Sequence, residues 1–276
     1  MPPPPSRWPC PAELWSSGGL AAYDKPPGCE TIALDPEGGK TGACFTSRVR
    51  EWTGRRDWFP VHRLDRDTSG VQLMAKGDSA KIRAERWFRE REVKKLYVAL
   101  CLGHPPNRRG SIRRPLTEWQ GGRRPVQTTR RGGQPAETAY QAILALPRTA
   151  CPGRLAASVI CFSPREGRTH QIRAHAAALG HPIIGDDRYG DRTANRCWRD
   201  GSGLDRQALH AWMMRLPLST EQRGTATHAK PDDAPPIIVS PIPPDLAAAL
   251  DMEGLSPNWR KMLDDCRAKW KMNGVL

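Results

Sequence analysis

Apolar and polar residues alternate at Val71, Leu73 and Ala75, a period of two that predicts a strand. Leu96, Val98 and Leu100 repeat the pattern, with Lys95, Tyr97 and Ala99 on the opposite face. A short apolar piece covers 20–23, and shorter or less regular strand candidates fall at 138–146, 155–162, 209–216 and 237–239. Residues 79–92 combine dense charge with good helix formers and predict a surface helix. Thr169 is placed to cap a helix over 170–179, which Gly180 would close. Residues 244–250 and 258–272 also read as helical. Strands and helices do not alternate regularly and no repeat is present, so a mixed α+β domain fits better than a doubly wound sheet.

Punctuation divides the chain. Prolines 2–5, 9 and 11, followed by Ser16, Ser17, Gly18 and Gly19, predict an extended or disordered leader over 1–19. Turns are predicted at Lys25-Pro26-Pro27-Gly28 and at Asp67-Thr68-Ser69-Gly70. Residues 107–133 read as a mobile, loop-like hairpin arm. It carries Arg108, Arg109, Arg113, Arg114, Arg123, Arg124, Arg130 and Arg131 against the single acid Glu118. Like charge this dense repels itself unless an anion is near. The expected organisation is a leader over 1–19, one domain over 20–250 containing that arm, and a helical tail over 251–276.

Composition sharpens the picture. The 276 residues are 38% hydrophobic with a mean hydropathy of −0.62, polar overall but with enough aliphatic residues for a core. The net charge of +14 favours a polyanionic partner, because Lys and Arg that neutralise phosphates release counterions. Residues 231–276 hold five Lys/Arg and seven Asp/Glu, a net of −2, so 1–230 carry +16 and the tail is not the gripping part. Eight cysteines at irregular gaps, without a Cys-x-x-Cys pair, fit neither a zinc ribbon nor a disulfide framework. There is no early signal-like segment and no apolar run of about 18 residues. A cytoplasmic protein without a membrane segment is expected, acting as a monomer.

Three apparent motifs fail. Gly38-Gly39-Lys40-Thr41 needs a glycine where Leu34 stands to be a phosphate-binding loop. Gly201-Ser202-Gly203 lacks the third glycine of a dinucleotide loop. His170 and His175 are five apart with no carboxylate between them, so they read as structural histidines rather than a metal pair. No metal or cofactor is expected.

The densest chemistry lies in Val61-His62-Arg63-Leu64-Asp65-Arg66-Asp67-Thr68-Ser69-Gly70, with two carboxylates, two guanidiniums and an imidazole in ten residues. This stretch resembles the signature of the RluA-like pseudouridine synthases, which isomerise uridine in RNA. Further pieces resemble the family in its order from Tyr23 to Leu216. They are Lys25-Pro26-Pro27-Gly28, Lys95-Leu96-Tyr97-Val98-Ala99, Ala136 to Tyr140, Gly167 to His175, Gly180 to Gly190, and Leu209-His210-Ala211. Fewer than thirty residues precede the first motif, so no small N-terminal RNA-binding domain is expected, and the tail has no counterpart in the resemblance.

The resemblance implies a mainly antiparallel central sheet with flanking helices and a catalytic cleft. It implies Asp65 as the reacting carboxylate, Arg173 as its guanidinium partner, paired bidentately, and Tyr97 as a platform for the freed uracil. The tyrosine hydroxyl is a candidate for removing the C5 proton. Arg63 would occupy the gap left by a flipped base. His62 would contact RNA or brace the loop, two readings the residues leave open. Arg66, Arg108, Arg109, Arg113, Arg114, Arg123 and Arg124 are candidate RNA contacts. Asp67 reads as the organiser of the turn. The expected partner is structured RNA, ribosomal or transfer. Two rivals remain: an RNA binder without catalysis, and a metal-dependent nuclease using Asp65, Asp67, Asp186 and Asp187.

Overall fold

The structure, a computed structural model, describes residues 10–33, 44–117, 126–129, 132–217, 235–252, 255 and 258–273. Ten strands form one sheet: β1 (Ala12–Ser17), β2 (Leu20–Lys25), β3 (Trp58–Pro60), β4 (Ser69–Lys76), β5 (Lys94–Leu102), β6 (Arg109–Arg113), β7 (Glu137–Leu146), β8 (Ala157–Pro164), β9 (Leu209–Arg215) and β10 (Ile237–Val239). The main path runs β1-β2-β4-β9-β5-β8-β7-β6, with β3 on β4 and β10 on β9. The described helices are α1 (Phe45–Thr53), α2 (Gly77–Arg89), α3 (Gln171–Ala178), α4 (Arg192–Ser202), α5 (Pro244–Leu250) and α6 (Trp259–Asn273).

All pairings are antiparallel except one. β4 meets β9 in parallel over only two positions, Ser69↔His210 and Gly70↔Ala211. Beyond them β4 pairs with β3 and β9 with β10, so the sheet forks at this seam. Gly70 makes the seam possible. Its φ is 113°, and a Cβ there would stand 2.2 Å from the Ala211 carbonyl oxygen.

β4 is buried on both faces, not on one as its alternation suggests. Val71, Leu73 and Ala75 pack on Ala80, Ala84 and Trp87 of α2. Met74 faces Phe45 and Val49 of α1 with Tyr23 and Trp58. Gln72, fully buried on that face, is satisfied by the His62 carbonyl at 2.8 Å and by Thr31 Oγ1 at 3.2 Å. A larger core packs β5, β7, β8 and β9 against α3–α6.

Several expectations are corrected. Of the two readings of the leader, residues 12–17 take the extended one and pair with β2, which corrects disorder there; residues 1–9 lie outside the described residues. A register slip between Glu13 and Trp15 half-buries both Leu14 and Trp15, which erases the period-two signal. The arm is not simply a loop. Residues 109–113 form the edge strand β6, and Leu116 bridges to Thr128 and Gln134. Leu116, Val126 and Ala136 pack on Ala174 of α3, so the base of the arm is seated on the domain. The cap of α3 is His170 at φ 56°, not Thr169. The tail is no separate piece, since Trp259, Leu263, Cys266 and Trp270 of α6 are buried in the main core. α1 and α4 went unpredicted because each buries only a few apolar residues, Phe45 and Val49 in one, Ala194 and Trp198 in the other.

Candidate active site

The loop between β3 and β4 is tied down from several sides. Its turn closes through the Thr68 amide on the Asp65 carbonyl at 3.1 Å, two residues earlier than the predicted Asp67–Gly70 turn. The Asp67 side chain pairs with exposed Arg66 at 3.3 Å and, among the described residues, has no hydrogen bond to the backbone of that turn. Lys25, fully buried, donates to the carbonyls of Pro26, Cys29 and Arg66 at 2.9, 2.7 and 3.0 Å. Burial pulls its ammonium down to about 8. Thr31 Oγ1 accepts from the Leu64 amide and donates to the Leu64 carbonyl, both at 3.1 Å. Gln207 Nε2 donates to Thr68 Oγ1 at 2.6 Å. The sequence presents Lys25 only as part of a turn; its clamp on Arg66 depends on a contact 41 residues away.

Asp65 and Arg173 meet. Arg173 Nη1 donates to Asp65 Oδ2 at 3.0 Å across a separation of 108 residues. The expected bidentate pairing falls elsewhere. Nε and Nη2 grip the two oxygens of Asp186 at 2.7 and 2.9 Å. Asp186 is wholly buried and also accepts the Arg188 and Tyr189 amides at 3.0 Å each. Burial opposes the Arg173 charge, but the Asp186 bonds and charge, then those of Asp65, outweigh it and hold the guanidinium above its ordinary range. Tyr189 lies beneath, its ring centroid 5.2 Å from the guanidinium carbon. Asp186 is thus the support for Arg173. With both oxygens engaged, it is poorly suited to the ligand role that a metal nuclease would give it.

A cleft open to solvent is lined by Asp65, Arg173 and Tyr97, with Lys95, His170 and Ile172. A wider groove shares Arg63, Asp65, His170 and Arg173 with it. Tyr97 reaches the cavity from β5, where the register against β9 slips between Leu96 and Tyr97. Such a slip re-aims a side chain. Burial, then the Asp65 charge, pushes the phenol well up, so it is neutral at ordinary pH. Lys95 donates to the Glu166 carbonyl at 2.7 Å, and burial lowers its ammonium to about 8. His170 is left-handed at φ 56°, a conformation costing of order 1–3 kcal/mol, and shares a 3.0 Å hydrogen bond with the Tyr189 hydroxyl. Burial brings its imidazole down to about 4. Lys95 and His170 were missed as cavity residues because each stands beside a residue with a more obvious role.

The remaining candidates separate. Arg63 is exposed at the rim of both cavity and groove. His62 instead turns inward. Its Nε2 accepts the Leu73 amide at 2.9 Å and its ring stacks on Phe88 at 5.0 Å. Burial lowers it to about 3, so it braces the loop as a neutral ring. Arg108, Arg109, Arg113 and Arg114 are exposed on β6 and its flanks, away from the cavity lining. Arg113 is already paired with Glu137 at 2.7 Å. Arg123 and Arg124 lie outside the described residues. His175 fits the structural reading, bonded to Thr138 Oγ1 at 2.8 Å and to the Arg114 carbonyl at 2.9 Å.

Comparison with known proteins gives consistent matches. A family model for RNA pseudouridylate synthase matches residues 19–178. Ribosomal large subunit pseudouridine synthase C of Escherichia coli (strain K12) is 43% identical over 160 residues, 56% of this chain and 47% of the relative. The Vibrio vulnificus protein of that name is 39% identical over 163 residues, 59% and 48%. Ribosomal large subunit pseudouridine synthase D of Nitrosomonas europaea is 32% identical over 247 residues, 86% and 63%. The chain spans about half the length of the first two relatives. Among solved structures, human RNA pseudouridylate synthase domain containing 1 superposes with a TM-score of 0.67 at 24% identity, covering 94% of this chain and 95% of that one. The human domain-containing 4 protein gives 0.65 at 22%, covering 89% and 94%. These two share the fold. No helix among the described residues is long and apolar enough to cross a membrane.

Proposed function

The chain belongs to the RNA pseudouridylate synthase family, and on that premise we propose that it isomerises a uridine of large-subunit ribosomal RNA to pseudouridine, with Asp65 as the reacting carboxylate. The observation that carries this reading is the single guanidinium of Arg173. It is locked on Asp186 by two bonds and presents its third to Asp65, at the wall of a cavity shared with Tyr97. Relatives named for large-subunit ribosomal RNA support that substrate over transfer RNA.

Pseudouridine formation breaks the C1′–N1 bond, turns the uracil and joins C5 to C1′, with the C5 proton lost and one gained at N1. Atoms balance without a redox partner. The work needed is an anionic group at the ribose or base, a face that holds the freed uracil, and a proton acceptor. Asp65 supplies the first, oriented by a charge-assisted bond. Addition at C1′ and proton abstraction towards a glycal-type intermediate both use the same carboxylate. Tyr97 supplies the face. Its phenol is a donor while Asp65 is charged. If Asp65 bonds covalently to the substrate, that charge disappears and the phenol gives up its proton to solvent more readily, leaving the phenolate that can take the C5 proton. Extruding the base costs a few kcal/mol, and Arg63 at the rim is suited to filling the vacated gap.

Large-subunit ribosomal and transfer RNA transcripts carrying tritium at uridine C5 test the proposal, since isomerisation releases the label. The wild type should release tritium from the ribosomal transcript with or without a chelator. Asp65→Asn should lose about 10³-fold or more in rate while binding RNA within threefold of the wild type. Undiminished release by Asp65→Asn would remove the carboxylate from the mechanism. Chelator-sensitive RNA cleavage would favour the nuclease. Pseudouridine mapping in total RNA from cells with and without the gene would then locate the site.

A further inference from the structure

Arg206, in the segment between α4 and β9, is buried and its guanidinium is divided between two tasks. Nε and Nη2 donate to the two carboxylate oxygens of Asp245 at the start of α5, at 2.5 and 3.0 Å. Nη1 donates to the backbone carbonyl of Asp67 at 3.0 Å, and also to those of Gln207 and Leu209 at 3.0 and 3.4 Å. Asp67 lies two residues beyond Asp65, inside the turn that Thr68 closes on the Asp65 carbonyl. The backbone of Arg206 does something different. It presses on Gly185, where a Cβ would stand 1.9 Å from the Arg206 carbonyl oxygen and where φ is 76°. Gly185 immediately precedes Asp186, the support of Arg173. One residue therefore touches both sides of the Asp65–Arg173 pair, the turn of one through its side chain and the support of the other through its main chain.

Asp245 is otherwise hard to account for. It lines the groove that the proposed RNA would occupy. A carboxylate there repels phosphates, and a neutral or basic residue would serve binding better. Burial pushes it up, yet the hydrogen bond and charge of Arg206 more than offset that and hold it below the ordinary carboxylate range. Its carboxylate faces Arg206 and the Leu246 amide. Both residues lie beyond position 178, where the family match ends.

We infer that Arg206 and Asp245 are a positioning pair: Asp245 orients Arg206, and Arg206 fixes the turn of Asp65 in register with Arg173. This rests on the reading of Asp65 and Arg173 as the reacting centre. Displacement of a reacting group by about 1 Å can cost of order 10²-fold in rate. Arg206 joins the turn of Asp65 to the start of α5, two segments far apart along the chain.

Asp245→Asn, nearly isosteric and still able to accept the Leu246 amide, tests the inference in the full chain. Single-turnover tritium release at saturating ribosomal transcript should fall at least tenfold. RNA affinity should stay equal or tighten, because a negative charge has left the groove. Asp245→Glu should restore part of the rate. A readout without substrate accompanies these. The Thr68 amide should exchange its hydrogen at least tenfold faster in Asp245→Asn, while the Val98 amide in β5 keeps its wild-type rate. A rate within twofold of the wild type, or a loss confined to RNA affinity, overturns the inference. So does unchanged Thr68 exchange. Failure of the wild type to release any tritium would instead sink the substrate reading, and Thr68 exchange would still decide the positioning role.

Discussion

Arg173 makes three side-chain hydrogen bonds to carboxylates in the site, and two of them go to Asp186 rather than to Asp65. The arrangement has a physical logic. Under the proposed mechanism, a guanidinium held only by Asp65 would follow the carboxylate, whereas Asp186 anchors it to the protein. Removing one partner of a buried pair leaves an uncompensated charge and costs about 3–5 kcal/mol. Asp186→Asn should therefore lower unfolding free energy by that order, read as a lower urea midpoint, and also slow single-turnover catalysis about 10²-fold, with RNA affinity little changed. An Asp186→Asn protein of wild-type rate would show that Asp65 alone holds Arg173. Arg173→Lys should fare no better, since an ammonium cannot reproduce the planar fork on Asp186.

At the scale of elements, β6 and α6 lead to separate expectations. β6 presents exposed arginines on a free sheet edge, but Arg113 is engaged with Glu137. Replacing Arg108, Arg109, Arg113 and Arg114 with glutamine should weaken RNA binding and reduce the salt slope by about 3 rather than 4, at roughly one unit per phosphate contact. An unchanged slope would show that β6 does not grip RNA. α6 acts on the opposite side of the balance, in stability. Trp270 is buried in the main core, so Trp270→Ala should cost about 3–5 kcal/mol, read as a lower urea midpoint at constant slope. A change below about 1 kcal/mol would mean that α6 is dispensable to the core.

The whole molecule couples the site to pH through neutral imidazoles. Burial brings His62 and His210 to about 3 and His170 to about 4. Unfolded histidines protonate near 6.5, so between about 6.5 and 4 the unfolded chain binds more protons than the folded one. Stability is then present above that window and lost as pH falls through it, by up to about 1.4 kcal/mol per pH unit for each imidazole. Urea unfolding at pH 7 and pH 5 should show the decline, and His62→Gln should make it shallower. An equal slope in the variant would mean that the ring protonates in the folded state.

By itself the sequence determined the features that local pattern and residue type set. The strand at 95–100 falls within β5, helix 258–272 nearly coincides with α6, and the three residues that the motif order singled out, Asp65, Tyr97 and Arg173, line one cleft. Signals of this kind survive because period, caps and turns act over a few residues. The strand at Ala12–Ser17 escaped because a register slip broke its alternation, and α4 because its buried face includes Asn195 beside only two apolar residues. What tertiary structure alone decided was partnership. Asp186 beneath Arg173, Lys25 beneath the Asp65 loop, Arg206 between Asp245 and Asp67, and the inward turn of His62 all depend on which backbones the forked sheet brings within about 3 Å. Hydrogen bonds and desolvation act at that range through space, and nothing in a one-dimensional pattern specifies which distant residues will come within it.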